Sequence, residues 1–193
     1  MKYFIILKKL PISILLTLLY CLSISSYSIA ADKEKRTETQ SQTKMNNAYL
    51  DKLIRRIDEN AKGKPGYWQF KVEKVIVTVI TDEKADRMRI LVPVSKLEDL
   101  DNGILKRLMQ ANFDSALDAR YAIAQSILWS AYIHPLSPLN AKQFIEGIGQ
   151  VVNLRNTFGG SYSSGALVFG GGDSKAIQRR KLIEKLLNKG LAI

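Results

Sequence analysis

Few residues in this chain could do chemistry, and their spacing argues against it. His134 is the only histidine and Cys21 the only cysteine, while Ser161, Ser163 and Ser164 cluster downstream. A serine nucleophile needs a base within hydrogen-bond reach and a third group behind it. The cluster reads GSYSSG over residues 160–165, without the Gly-x-Ser-x-Gly order of a nucleophile elbow, and His134 before Pro135 reads as a strand-end residue. Metal binding would rest on carboxylates alone, and Asp82, Glu83 and Asp86 read as an ordinary charged turn. The glycine-rich residues 159–172 (GGSYSSGALVFGGG) invite a phosphate-loop reading but lack the Gly-Lys-Ser/Thr step. The expectation is a protein without catalytic residues, cofactor, metal or small-molecule substrate.

What remains is binding. Tyr67 and Trp68 stand at the start of a strand; Tyr162, Leu167 and Phe169 lie in the Gly/Ser segment; Arg179, Arg180 and Lys181 lie on a basic terminal helix. Each has a plainer reading. Trp68 and Trp129 can pack in the core, the Gly/Ser segment can be a pliable connector, and the basic residues can be the solvated face of a packing helix. Alternatively, residues 167–169 add a strand or enter a groove on a second copy, and the helix binds an anionic surface or a protein.

The elements that must position these residues follow from periodicity. Residues 47–61 place Tyr49, Leu50, Leu53, Ile54 and Ile57 on one face of a helix, and KGKPG at 62–66 ends it. Residues 68–72, 75–81 and 87–94 read as a three-stranded meander, with Pro93 suggesting that the third strand ends at an edge. Ile104, Leu105, Leu108 and Met109 form the apolar face of a helix capped by Asp99 or Asp101 and stopping at Asn112. Residues 120–124 and 127–133 make a hairpin about Gln125-Ser126, the second run lying inside the sheet. Ser137-Pro138 reads as N-cap and first position of a helix to Asn153, and residues 173–189 form the last helix. No internal repeat is found.

The first thirty residues differ from the rest. Lys2, Lys8 and Lys9 precede an apolar run, and Ser28-Ile-Ala30 supplies the small residues of a cleavage site. This is read as a cleaved signal peptide rather than a membrane anchor or a lipoprotein signal, since the apolar run is short and Tyr20 precedes Cys21. Without its three lysines the formal charge falls from +11 to +8, and residues 173–193 hold +4 of that, six bases against Asp173 and Glu184. Such a balance favours anionic partners without choosing among nucleic acid, acidic polysaccharide and lipid. With no other cysteine, a hydrophobic core must hold the chain together. The organisation expected is signal peptide 1–30, polar leader 31–46, α+β domain 47–158, connector 159–172 and basic helix 173–193. Its sheet is antiparallel and five-stranded, in the order α-β-β-β-α-β-β-α plus the terminal helix.

That order, with MRILVPV at 88–94, LKRLMQANF at 105–113, the hairpin, and LSPLNAKQF at 136–144, resembles the type III secretion chaperones and the related YbjN-type sensory-transduction-regulator domains. The resemblance implies a bacterial binding module, commonly a homodimer, that holds an extended or partly folded protein segment on its sheet and helix surface. This chain departs from the pattern in its basic charge, export signal, Gly/Ser segment and extra helix. The reading that fits both is a periplasmic adaptor with a protein partner. The alternative is a binder of anionic envelope or nucleic-acid polymers, or of a membrane surface, through the terminal helix.

Overall fold

The computed structural model describes residues 44–165 and 174–192, with side chains from residue 180 onward in the second stretch. The signal peptide, most of the leader, Leu167, Phe169 and the Arg179 side chain lie outside the described residues. The elements are α1 (Asn47–Ile57), β1 (Lys62–Lys64), β2 (Tyr67–Val72), β3 (Val75–Asp82), β4 (Arg87–Lys96), α2 (Asn102–Asp114), β5 (Arg120–Ala124), β6 (Ile127–Pro135), α3 (Ala141–Asn156) and α4 (Ser174–Gly190). The strands form one antiparallel sheet in the order β1-β2-β3-β4-β6-β5. The class is α+β as expected, but the sheet has six strands rather than five. The extra strand is β1, whose Lys-Gly-Lys has no apolar alternation to announce it. Gly63 permits it: at φ +126° a Cβ there would sit 2.1 Å from the Tyr67 carbonyl oxygen.

Alternation sorts the strand side chains onto two faces. Trp68, Val79, Ile90 and Tyr132 lie in register across the inner face, and all four are buried. α1 brings Leu50, Leu53, Ile54 and Ile57 to this core, and α3 crosses the inner face of β4 and β6. α4 lies on α1 and α3 as a third layer, burying Leu182 and Leu186 and leaving Arg180, Lys181, Lys185 and Lys189 in solvent. α3 is held closely on both sides. A Cβ at Gly147 would meet the Tyr132 ring at 3.0 Å, and one at Gly149 would meet Ile183 of α4 at 2.5 Å.

Several expectations are corrected. β4 is interior, and Pro93 is accommodated by a register shift against β6 between Pro93 and Ser95 rather than by an edge. Trp129 alternates outward, since Leu128 and Ser130 point inward, and is half-buried with its indole N–H donating to the Ala124 carbonyl at 3.0 Å. α2 runs on to Asp114 because the Asn112 side chain is engaged elsewhere. The N-cap of α3 is Asn140, in a reciprocal capping box with Gln143. Ser137 instead serves Asp86, its N–H and hydroxyl donating to the two carboxylate oxygens at 2.6 and 2.9 Å. The 125–126 hairpin turn has both residues at positive φ, the geometry that glycine would have made easier. Asp101 caps α2.

At each end of the sheet one backbone position is capped by a side chain. β1 ends at its pairing with Gln69, and at the next free position of β2 the Lys71 N–H donates to the Asp58 carboxylate at 2.8 Å. On the opposite edge, Asn112 of α2 accepts from the Tyr121 N–H at 2.7 Å and donates to the Tyr121 carbonyl at 3.0 Å, as a neighbouring strand would at that one position of β5. Asn112→Ala is expected to cost about 1–3 kcal/mol by leaving both groups unpaired. Denaturant unfolding would show the loss, and light scattering an increased tendency to associate through the bared edge.

The Asp86 carboxyl is held below the ordinary carboxylate range, first by the Ser137 N–H and then by its hydroxyl. A depressed folded value favours the ionised form, so its contribution is present above the unfolded value of about 4 and is lost as pH falls through the folded one. Asp86→Asn, which tolerates the φ of +50° found there, should therefore lower the melting temperature at neutral pH. The gap to the parent should narrow on acidification below about pH 4.

Candidate partner-binding surface

The helices of the described residues cover the inner face of the sheet and leave its outer face open. Across that face Tyr67, Ile80, Arg89 and Ile133 are cross-strand neighbours on β2, β3, β4 and β6. Tyr67 is 43% exposed, Ile80 38% and Ile133 59%. Opposed residues stand about 5 Å apart, so these side chains touch along one line with a single guanidinium within it. The neighbouring line reads Gln69, Thr78, Leu91, Ala131 and Arg120. Ile76, half exposed, extends the apolar area beside Lys71.

A second apolar area lies on α2. With Asn112 turned to β5, its neighbour Phe113 projects away and is 91% exposed, and Met109, one turn earlier, is 70% exposed. Leu117, just past the helix, and Ile123 on β5 are also exposed. The apolar face expected for this helix is thus divided: Leu108 is buried and Ile104 and Leu105 pack partly against the core, while Met109 faces solvent.

Among the described residues, the structure does not bring Tyr67, Trp68 and Tyr162 of the sequence-derived contacts onto one surface. Tyr67 is on the outer face, but Trp68 alternates inward, is fully buried and donates its indole N–H to Asp51 at 2.9 Å. That bond and the one from Arg55, the larger influence, hold the Asp51 carboxyl below its ordinary value. Trp68 is therefore a core residue and not a contact. Tyr162 is likewise buried, edge-on to Tyr121 and Phe158 with the Arg107 guanidinium 5.1 Å from its ring centre. Residues 159–165 are not a loose connector. Ser115 donates to the Tyr162 carbonyl, the Leu117 N–H to the Ser164 hydroxyl and Asn153 to the Ser164 carbonyl. Arg180 and Lys181 are exposed on α4.

Sequence reasoning missed Ile76, Ile80 and Ile133 as surface residues. The signal was there: residues 75–80 (VIVTVI) are apolar at both parities, which in a sheet covered on one side leaves one set outside.

The chemistry available is limited. The Ser163 hydroxyl accepts from the Gly165 N–H and the Ser164 hydroxyl from the Leu117 N–H, both deep in the fold. His134 stacks on Tyr132 with ring centres 6.0 Å apart, at a cavity of about 360 Å³ shared with Asp118 and Glu146. Burial first, and then those two carboxylates, push the Tyr132 phenol up to about 12, so it remains protonated at neutral pH. Burial likewise raises the Tyr121 phenol, which donates to the Leu154 carbonyl at 2.7 Å. Among the described residues no three His, Cys, Asp or Glu side chains are grouped to hold a metal, and no helix is long and apolar enough to cross a membrane.

No family model matches the chain, and no curated protein matches it. Solved structures do. The HopA1–SchA chaperone–effector complex includes a chain 9% identical, matched over 58% of this chain and 94% of that one with a TM-score of 0.44. The ExsC–ExsE complex gives 14% identity, 57% and 92% coverage and 0.44. The Yersinia pestis type III secretion chaperone SycH, solved with a stable fragment of YscM2, gives 13%, 58% and 98% coverage and 0.45. The likeness to the last of these, a type III secretion chaperone, is one of fold alone.

Proposed function

We propose that this protein is a non-enzymatic, periplasmic adaptor- or chaperone-like module that holds a segment of a protein partner on the outer face of its sheet. The observation that carries this reading is the line of Tyr67, Ile80 and Ile133 on the sheet face that the described helices leave uncovered. An exposed apolar patch rimmed by polar groups marks an interaction site. Export rests on the sequence features of residues 1–30. A photo-crosslinking residue at Ile133 is expected to capture one protein from envelope extract at both low and moderate salt. Ile80→Glu should abolish that adduct while leaving stability within about 0.5 kcal/mol, as for an exposed substitution. An adduct undiminished by Ile80→Glu would exclude the sheet face.

The alternative, an anionic polymer bound through α4, is supported by the solvent position of Arg180, Lys181, Lys185 and Lys189. Its signature is capture that falls steeply with salt and is lost on charge reversal at Arg180 and Lys181.

The α2 patch supports a homodimer, with Met109 and Phe113 of one copy set against those of another by two-fold symmetry. Phe113→Glu is expected to convert a dimer to a monomer in sedimentation velocity with an unchanged circular dichroism spectrum. A parent protein that is already monomeric at ~100 μM would overturn this pairing, since a stable interface has a Kd well below that concentration.

A further inference from the structure

Three lysines from distant parts of the chain, Lys62 on β1, Lys71 on β2 and Lys189 in the last turn of α4, line one cavity of about 580 Å³. They are not a charge run; the fold assembles them. None is in an ion pair among the described residues. The carboxylate lining this cavity is Asp58, and its oxygens are already taken by the backbone N–H groups of Asn60 and Lys71 at 3.0 and 2.8 Å. The lining therefore carries two positive charges in excess. Side-chain amides of Asn60 and Gln69 add neutral hydrogen-bonding groups. Ile76, half exposed, supplies the accessible apolar surface, with Ile57 and Phe70 buried at the margin.

We propose that this cavity binds a phosphomonoester carried on a small apolar body. A phosphomonoester has about 1.5–2 negative charges at neutral pH, which matches the excess, and lysine binds phosphate as a point charge without demanding one orientation. The volume falls in the range of about 300–1,000 Å³ typical of small-ligand sites. The phosphate sits among the three ammonium groups, and the apolar body lies on Ile76. The same chemistry is offered by a soluble phosphomonoester and by the headgroup of a monoester phospholipid, and the two sources are separable.

The test is titration of the isotope-labelled protein with phenyl phosphate, followed through backbone amide shifts. Saturable shifts are expected at Lys62, Lys71 and Lys189, tighter for phenyl phosphate than for inorganic phosphate and absent with benzyl alcohol. Lys71→Ala and Lys189→Ala should each weaken binding about tenfold, the loss of one charge-assisted hydrogen bond. Both are exposed positions, so the variants should fold, and a spectrum otherwise like the parent's would establish it. In a parallel arm, phosphatidylcholine vesicles with and without phosphatidic acid are sedimented with the protein. Capture by phosphatidic acid that both substitutions reduce assigns the headgroup; binding of phenyl phosphate alone assigns a soluble ligand. Either outcome supports the site. Shifts of equal size at Arg180 and Lys181, or affinity unchanged in both variants, would reduce the effect to general surface charge and overturn the proposal.

Discussion

Helix α3 is packed on two opposite sides, by the sheet and by α4, and the rest of the fold is arranged to make that tolerable. Ten of its residues are buried, among them the polar Gln150 and Asn153. A buried amide without partners is costly, so each polar group on this helix needs one. Gln150 accepts from the N–H groups of Asp118 and Ala119, both at 3.0 Å, and donates to the Asp118 carboxylate at 2.9 Å. That arrangement fixes the irregular passage from α2 into β5. Asn153 donates to the Ser164 carbonyl at 2.9 Å and so helps to fix the chain beyond the helix. Satisfying one helix thus orders two loops, and through them the position of α2.

Covering one side of the sheet with α1, α3 and α4 leaves the other side uncovered by the described helices. Each end of the sheet, by contrast, has one position at which a side chain already holds backbone groups. Asp58 holds the Lys71 N–H and Asn112 the N–H and carbonyl of Tyr121, at opposite ends of the sheet and by unrelated means. Strand addition across either position would first have to break these bonds. Laying a segment across the face breaks nothing and buries apolar atoms already exposed.

Much of this was legible in the sequence because the periods were clean. β2 and β4 alternate strictly over most of their length, and α1 has its apolar residues in one stripe. What could not be read depended on partners far away in the chain. β1 is a strand only because its backbone pairs with β2, and Lys-Gly-Lys carries no apolar signature. Ser137-Pro138 has every local feature of a helix start, but Asp86, 51 residues away, claims Ser137, and the capping box begins at Asn140. Trp68 and Trp129 look equivalent as strand aromatics; parity sends one to each face, and the register that decides this is tertiary. The Gly/Ser segment misled for a related reason. Its composition describes a flexible linker, yet three rings and a set of side-chain-to-backbone bonds fix residues 157–165 in place.

The apolar sheet face and the lysine cavity are not independent surfaces. Ile76 belongs to both, as the cross-strand neighbour of Lys71 and as part of the cavity wall. Tyr67 and Ile80 lie on the same two strands, and Gln69, between Tyr67 and Lys71 on β2, also lines the cavity. A polypeptide extending along the Tyr67–Ile80–Ile133 line reaches β2 two residues from Gln69, close enough for occupancy of one surface to alter the other through shared side chains. Linkage requires that any such effect be mutual. A ligand that immobilises Ile76 and Lys71 would leave a partner less to order on the face and favour its binding, whereas one projecting from the cavity over Ile76 would exclude it. The sign depends on how far the apolar body extends past Ile76, a property of the ligand rather than of the fold.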